Sequence, residues 1–514
     1  MRYAAFLSFA LLAGAPALAP AQAQQGLDLV RAGVTAQGGV DALRALKTIA
    51  IRAHSQAWEP GQSYRPGGEP RFLGDSTVAI TADLEKGALR AVWERAMKYP
   101  ATETMKYTEV AMPDVGAAIT DKGAQPMSAI RVAATLREAE RASPRLLLAA
   151  LDAPQKVTAL ADQAFGDTTL PAVAFTDRGT RFVILFDRAS HLPKAVRTRD
   201  DDNVYGDSDF DMVLADWRDV AGVKVAFAQS YRLNGVEVDK VAYDAVTANP
   251  PIAPDTFAIE AQFKIASADA RADVPYQWVI RRLLLGRFLD SDKVVIPANG
   301  SFKQAELAPH VLQVMGGTAN NLVVEMKDGL VVFDAPCCAE QSRAVIAAAK
   351  AKFPGKPIKY VVLTHHHMDH TGGTRTFVAE GATVIVPDTA QAYFESNFAR
   401  PHTIVADAQQ KAAKPLHVVG VADAMTLKDD TIEIRLQKIA NPHVDGMLIG
   451  YVVQPNVVWV TDIWSPGRDA ARTAGVLALN EAVKKLGIKD ATFAGGHGSN
   501  AKQAVLDNIV AAAN

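Results

Sequence analysis

Cysteine is nearly missing: the 514 residues contain two, Cys337 and Cys338, and they are adjacent. Neighbouring residues seldom meet disulfide geometry. The fold is therefore expected not to rest on disulfides, and the pair reads as two small residues at a strand-to-helix turn. A thiolate metal site needs more ligands nearby than that turn offers. Positive charge is not in excess either. With 54 Lys and Arg against 56 Asp and Glu, the formal net charge is −2. No polybasic run exists, which argues against nucleic acid and anionic membrane as partners. Beyond the first residues no apolar run reaches the about 20 residues of a transmembrane helix. Internal repeats and low-complexity tracts are absent past the same point.

What is there is ordinary in bulk and specific in places. Hydrophobic residues make up 49% and charged residues 21%, as in soluble globular proteins. The length exceeds one hydrophobic core and points to two or three domains. At the start, Arg2 precedes an apolar run from Ala4 to Leu12, then Pro16, Pro20 and the small-x-small site Ala21-Gln22-Ala23. This three-part pattern predicts a signal peptide over residues 1–23 and a periplasmic or secreted protein.

Residues 24–265 predict a mostly antiparallel, β-rich domain. Leu27 to Lys47 has helical periodicity broken at Gly38 and Gly39, and after it come short alternating runs such as Ser76 to Ala82, Arg181 to Phe186, Lys224 to Tyr231 and Val236 to Tyr243. Turn signals such as Asn234-Gly235 separate them. A helical patch from Ser128 to Leu151 interrupts the series. Residues 266–305 read as a linker with an amphipathic helix from Tyr276 to Phe288. From residue 306 to 514 strands and helices mix, which predicts a layered α+β domain. Within it, Ala339 to Lys352 reads as a helix and Ile358 to Leu363 as a strand that is apolar apart from Lys359.

That strand runs into Thr364-His365-His366-His367-Met368-Asp369-His370-Thr371-Gly372-Gly373. A loop at a strand end aims several side chains at one point while the scaffold stays rigid. Imidazole and carboxylate are zinc ligands, so His365, His367, Asp369 and His370 offer four ligands within six residues. The chain has 11 histidines, and four of them lie in this stretch. Gly372 and Gly373 are expected to turn the backbone into the next helix. His366, between two candidate ligands, reads as a residue that either supports the ligands by a hydrogen bond or packs, and packing is the favoured reading. His310, His402 and His417 lie outside any pattern.

The segment resembles the metallo-β-lactamase superfamily, whose His-x-His-x-Asp-His pattern it carries without a gap. The resemblance covers about Glu306 to Asn514 and implies a four-layer αββα sandwich. It implies three further ligands: His443 in Asn441 to Gly446, Asp462 at the end of the apolar run from Val457, and His497 between Gly495 and Gly498. Asp334, after Val331 to Phe333, is expected to hold the histidine loop by hydrogen bonds. The family's pattern places His365, His367 and His443 on one metal, and Asp369, His370 and His497 on a second, with Asp462 bridging. Zinc is the expected metal at two per chain, with iron and manganese as alternatives. A hydroxide made at such a site is the nucleophile, and Asp369 is the expected catalytic residue that orients it and accepts a proton.

Asp462 leans the resemblance toward hydrolysis of an ester, thioester or lactone in a small acyl substrate. β-Lactam hydrolysis, a mononuclear-iron oxygenase and a ligand-binding protein are the alternatives. Alkylsulfatases of the superfamily are longer and carry a further C-terminal domain, so the length leans away from them. The N-terminal region is similar to lipoprotein-carrier domains in strand pattern and in the phrases Phe186 to Pro193 and Trp217 to Val223. Such a sheet suits an apolar substrate or a structural role at the mouth of the active site, and the structural role is the favoured reading.

Overall fold

The computed structural model describes residues 20–113, 115–260, 263 and 302–512. The expected helix from Tyr276 to Phe288 and most of the expected signal peptide lie outside the described residues.

Thirteen strands between Thr48 and Ala248 form one antiparallel sheet. Neighbours in sequence pair except Gly123–Pro126 and Val157–Phe165, which form the two edges of the sheet, and the first strand, Thr48–Glu59, also pairs with the last, Val236–Ala248. Hairpin chemistry explains the order. At Asn234-Gly235 both residues have positive φ, 49° and 85°, as a two-residue primed turn requires. Along Thr48–Glu59 burial alternates residue by residue, so one face of the sheet is dry. The helices Pro20–Ala36, Ala129–Arg141 and Leu146–Asp152 cover that face, around a core that includes Val30, Leu147, Phe182, Phe186 and Phe210. Ser128 caps the second of these by accepting from the Arg131 amide, which stops the chain from entering the helix earlier. Between helices and sheet a cavity of about 440 Å³ remains, lined among others by Ile51, Val78, Ile80, Trp93, Leu146 and Tyr243.

The C-terminal domain is built on two sheets of seven and six strands. Three apolar layers separate four layers of structure. Phe333, Val331, Ile434, Leu436 and Trp459 fill the space between the sheets. Val345, Phe377 and Phe394 pack the helices Ala339–Lys352, Thr374–Ala379 and Gln391–Phe398 on the first sheet. Val476, Leu479, Val483 and Leu506 pack Ala474–Lys485 and Gln503–Ala511 on the second. This is the αββα sandwich. Its central strands, Gly329–Phe333 and Val457–Val460, are buried at every position, which is why they read as continuous apolar runs. The first sheet is antiparallel up to Gly329–Phe333 and parallel from there through Ile358–Val362, Thr383–Pro387 and Val418–Val421. The strands that the sequence pattern misses are short or lie at edges: Lys303–Ala308, Val418–Val421, Ala424–Lys428, Thr492–Gly495 and Asn500–Lys502. Half-exposed residues dominate most of them, so no hydrophobic period marks them.

One expectation is corrected. Cys337 and Cys338 are joined to each other in a disulfide. The bond closes no loop of chain, so it removes little entropy from the unfolded state. Both residues are buried and belong to the same core as the N-terminal sheet. The two domains meet there. Asn203 donates to the Cys337 carbonyl at 3.1 Å, and Asp207 accepts from the Thr403 and Ile404 amides at 2.8 and 3.1 Å.

Candidate metal centre

The site forms where apolar strands of the two sheets end. Ile358–Val362 stops one residue before Leu363 and delivers the histidine loop, whose last part coils into the short helix Met368–Thr371. Asp334 ends the neighbouring strand with φ 59°, and Asp462 follows Val457–Val460 with φ 55°. Aspartate tolerates this left-handed region better than most side chains, and in both cases the turn points the carboxylate along the sheet end. In Gly372 and Gly373 the expectation needs revision. Gly372 has an ordinary helical φ of −62°. Its need for glycine comes from close approach: an added Cβ would sit 1.9 Å from the Cys337 carbonyl oxygen.

The seven side chains come together in three overlapping groups: His365, His367 and His443; His365, His370 and Asp462; and Asp369, His370 and His497. Within each group the candidate ligand atoms lie within 4.8 Å of one another. His443 Nε2 faces His367 Nδ1 at 3.0 Å, and His370 Nε2 faces His497 Nε2 at 3.1 Å. Asp462 stands between the groups. Its Oδ2 is 3.3 Å from His365 Nε2 and 3.0 Å from His370 Nε2, and its Oδ1 is 3.1 Å from His497 Nε2.

Burial and charge shape the donors. His365, His367 and His370 are at most 1% exposed. Burial, reinforced by the surrounding imidazoles, holds His365 and His367 well below the usual histidine pKa, so both present neutral lone pairs at neutral pH. Burial lowers His443 as well, against the pull of Asp462. For His370 burial works in the same direction, but Asp462 and Asp369 beside it outweigh burial and raise the ring. Burial alone would raise Asp462, and His370, His497 and His443 around it hold it well below the carboxylate range instead.

The supporting bonds assign the free atoms. Asp334 is fully buried and accepts from the Thr364 amide and hydroxyl at 2.8 Å each. Its other oxygen lies 3.2 Å from His370 Nδ1, so that nitrogen carries a proton and Nε2 is the atom that a metal would take on displacing its proton. Asn441 accepts from the His443 and Val444 amides at 2.9 and 3.0 Å, which shapes the turn that presents His443. Asn320 ties down the His497 loop through the carbonyls of Gly495 and Gly498.

A divalent metal fits this donor set. His365 Nε2 is buried with no hydrogen-bond partner, an arrangement that costs free energy unless something accepts the lone pair. Nitrogen lone pairs that face each other at about 3 Å need a cation or a proton between them.

Side chains from the other domain also reach the site. Gln62 and Ser63, between the first two strands of the N-terminal sheet, touch Asp369, His366 and His367. His366 is therefore more than packing: its Nε2 donates to the Ser63 carbonyl at 2.9 Å. A faint cue existed in the long, Pro- and Gly-rich stretch from Glu59 to Pro70, which no tight hairpin needs. His310 pairs with Glu325 and His402 with Asp201, both away from the centre.

Residues 314–462 match the metallo-beta-lactamase superfamily model, and the C-terminal domain belongs to that superfamily. An (R)-specific secondary-alkylsulfatase of Pseudomonas sp is 40% identical over 76 residues, 15% of this chain and 12% of that protein. A linear primary-alkylsulfatase of Pseudomonas sp is 36% identical over 76 residues. The matched segments span 12% and 11% of these two relatives. Among solved structures, an inverting sec-alkylsulfatase from Pseudomonas sp. aligns at TM-score 0.32 and 19% identity, over 46% of this chain and 43% of that one. A metallo-beta-lactamase from Pontibacter korlensis aligns at TM-score 0.31 and 17% identity, over 41% of this chain and 97% of that one.

Proposed function

We propose that this metallo-β-lactamase domain is a two-metal hydrolase, and that it cleaves an ester, thioester or lactone bond in a small acyl substrate. The observation that carries the reading is the convergence of five imidazoles and two carboxylates on one point, with a buried nitrogen that makes no hydrogen bond among them. His365, His367 and His443 would hold one metal, and Asp369, His370 and His497 the other, with Asp462 between them. Zinc suits a set of nitrogen and carboxylate donors, with iron and manganese as alternatives. When bound, such a metal pair supplies a nucleophile from water near neutral pH and polarises the scissile bond.

The chain's own part is orientation and proton handling. Asp369 is the most exposed member of the set, 27% open at its side chain against 14% for Asp462, so it is the carboxylate that meets incoming water. It orients that water and takes up its proton. Asp462, ringed by imidazoles, stays ionised and holds the two ligand groups at a fixed separation. The apolar cavity of the N-terminal sheet supports a substrate or ligand with an apolar body.

A second reading is cleavage of a sulfate ester. Its support is that the relatives named above are alkylsulfatases. The test is a panel of an ester, a thioester, a lactone, a β-lactam and an alkyl sulfate, each assayed with the metal-reconstituted protein and after chelation. Metal-dependent turnover of one of the first three is the expected result. Turnover of the alkyl sulfate alone selects the second reading. No turnover of any of the five, with metal bound, counts for a ligand-binding protein instead.

Export belongs to the same proposal and rests on the pattern from Arg2 to Ala23. The protein from its native host is expected to begin near Gln24. Intact Met1 on protein from the cytosolic fraction would refute export.

A further inference from the structure

Residues 60 to 70 form an 11-residue connection between two paired strands, with Glu59 opposite Arg71 at its base. Hairpin loops usually need two to five residues. This one spends its length on reaching the other domain. Its Ser63 carbonyl accepts from His366 Nε2 at 2.9 Å and from His367 Nε2 at 3.1 Å. A carbonyl brings no proton, so each of those nitrogens carries one. His367 is thereby held in the tautomer whose Nδ1 is a lone pair, and Nδ1 is the atom that faces His443 Nε2.

One residue earlier, Gln62 Nε2 donates to Asp369 Oδ1 at 2.5 Å. The far end of the same amide, Oε1, accepts from the Tyr99 hydroxyl at 2.8 Å. That second bond decides which end of the amide faces the carboxylate. Asp369 then has one oxygen tied to the N-terminal domain and the other, Oδ2, left toward His370 Nε2 at 3.8 Å. Arg71 locks the arrangement. Its Nε donates to the Gln62 carbonyl at 2.6 Å, its Nη2 donates to the His443 carbonyl at 2.8 Å, and its guanidinium stacks 4.5 Å above the Tyr99 ring.

We propose that Gln62, oriented by Tyr99, is a positioning residue of the metal centre supplied by the N-terminal domain. It sets the Asp369 oxygen that serves the second ligand group, as the Ser63 carbonyl sets the histidine tautomer that serves the first. The inference rests on the two-metal reading and gives the N-terminal sheet a definite part in it. Without the amide, Asp369 is free to rotate and to spend either oxygen on solvent. Loss of such an outer partner typically weakens metal binding by about 10- to 100-fold.

The experiment titrates the full-length chain with zinc against a chromogenic chelator, resolving the two binding events. Gln62→Ala and Gln62→Met, which removes both amide groups at similar length, are each expected to weaken one event by about 10- to 100-fold and to leave the other close to wild type. Tyr99→Phe, which frees the amide to flip, is expected to give a smaller loss at the same event. It also serves as the reading if both Gln62 variants fail to fold by circular dichroism. Equal affinities in variants and wild type overturn this inference alone, and so does an equal weakening of both events, which marks a general structural effect. A wild-type chain that takes up no metal overturns it together with the two-metal reading.

Discussion

Asp369→Asn is expected to lower turnover of the responsive substrate by about a hundredfold to ten-thousandfold, the usual cost of losing a general base. The geometry makes the change severe although the side chain keeps its size. Asp369 serves two partners with two oxygens, Oδ1 toward Gln62 and Oδ2 toward the group of His370 and His497. An asparagine has one oxygen. If it accepts from Gln62, its NH2 faces the metal position. If it is turned the other way, two NH2 groups face each other. Either orientation removes the negative charge and the proton acceptor. The fold is expected to survive, because Asp369 is partly open and Asp334 holds the loop through Thr364 and His370. The comparison variant is His366→Ala. Its imidazole donates to the Ser63 carbonyl, and His367 shares that acceptor, so the smaller loss is expected there. Both variants are to be reconstituted with zinc, checked by circular dichroism and assayed on the same substrates. If His366→Ala proved the more damaging change, the roles assigned within the histidine loop would be wrong.

Metal removal is expected to abolish turnover and to destabilise the chain. Seven ligand side chains exceed the four that one tetrahedral zinc uses, so about two equivalents of divalent metal per chain are expected after reconstitution. A ligand that binds the folded form alone stabilises it by about 4 kcal/mol at a free concentration a thousand times its Kd. The site gives this linkage a structural basis. With the ions gone, His365 Nε2 stays buried without a hydrogen bond, and the imidazole pairs around Asp462 are left facing each other. Elemental analysis and calorimetry on loaded and chelated protein check both parts. At most one equivalent after reconstitution would count against the two-metal reading. An unchanged unfolding temperature would mean that the ligand set is not closed by metal in the native state.

The amino-acid sequence by itself determined the histidine loop and its setting. Four of the candidate ligands are consecutive or nearly so, and the strand before them ends in the apolar run Tyr360 to Leu363, so neither signal depends on distant residues. It also determined the type of most elements. Ala339–Lys352 has the same bounds in the pattern and in the structure, because it buries one face on its own sheet. Asp334 and Asp462 were legible as strand ends. Tertiary structure alone decided what covers these elements. Hydrophobic period records that a face is buried, and it says nothing of which segment buries it. The bond from Gln62 to Asp369 spans 307 residues, and neither residue carries a local signature of the other. The bond between Cys337 and Cys338 depends on backbone angles at a single turn. The glycine at 372 answers to a carbonyl 35 positions earlier in the chain. Edge strands such as Ala424–Lys428 carry no period because solvent, not a core, lies on one side of them. The metal ligands were readable because chemistry requires particular side chains at close spacing. The groups that orient them were not, because a backbone carbonyl or an amide from any part of the chain can supply the same hydrogen bond, and only folding selects which one does.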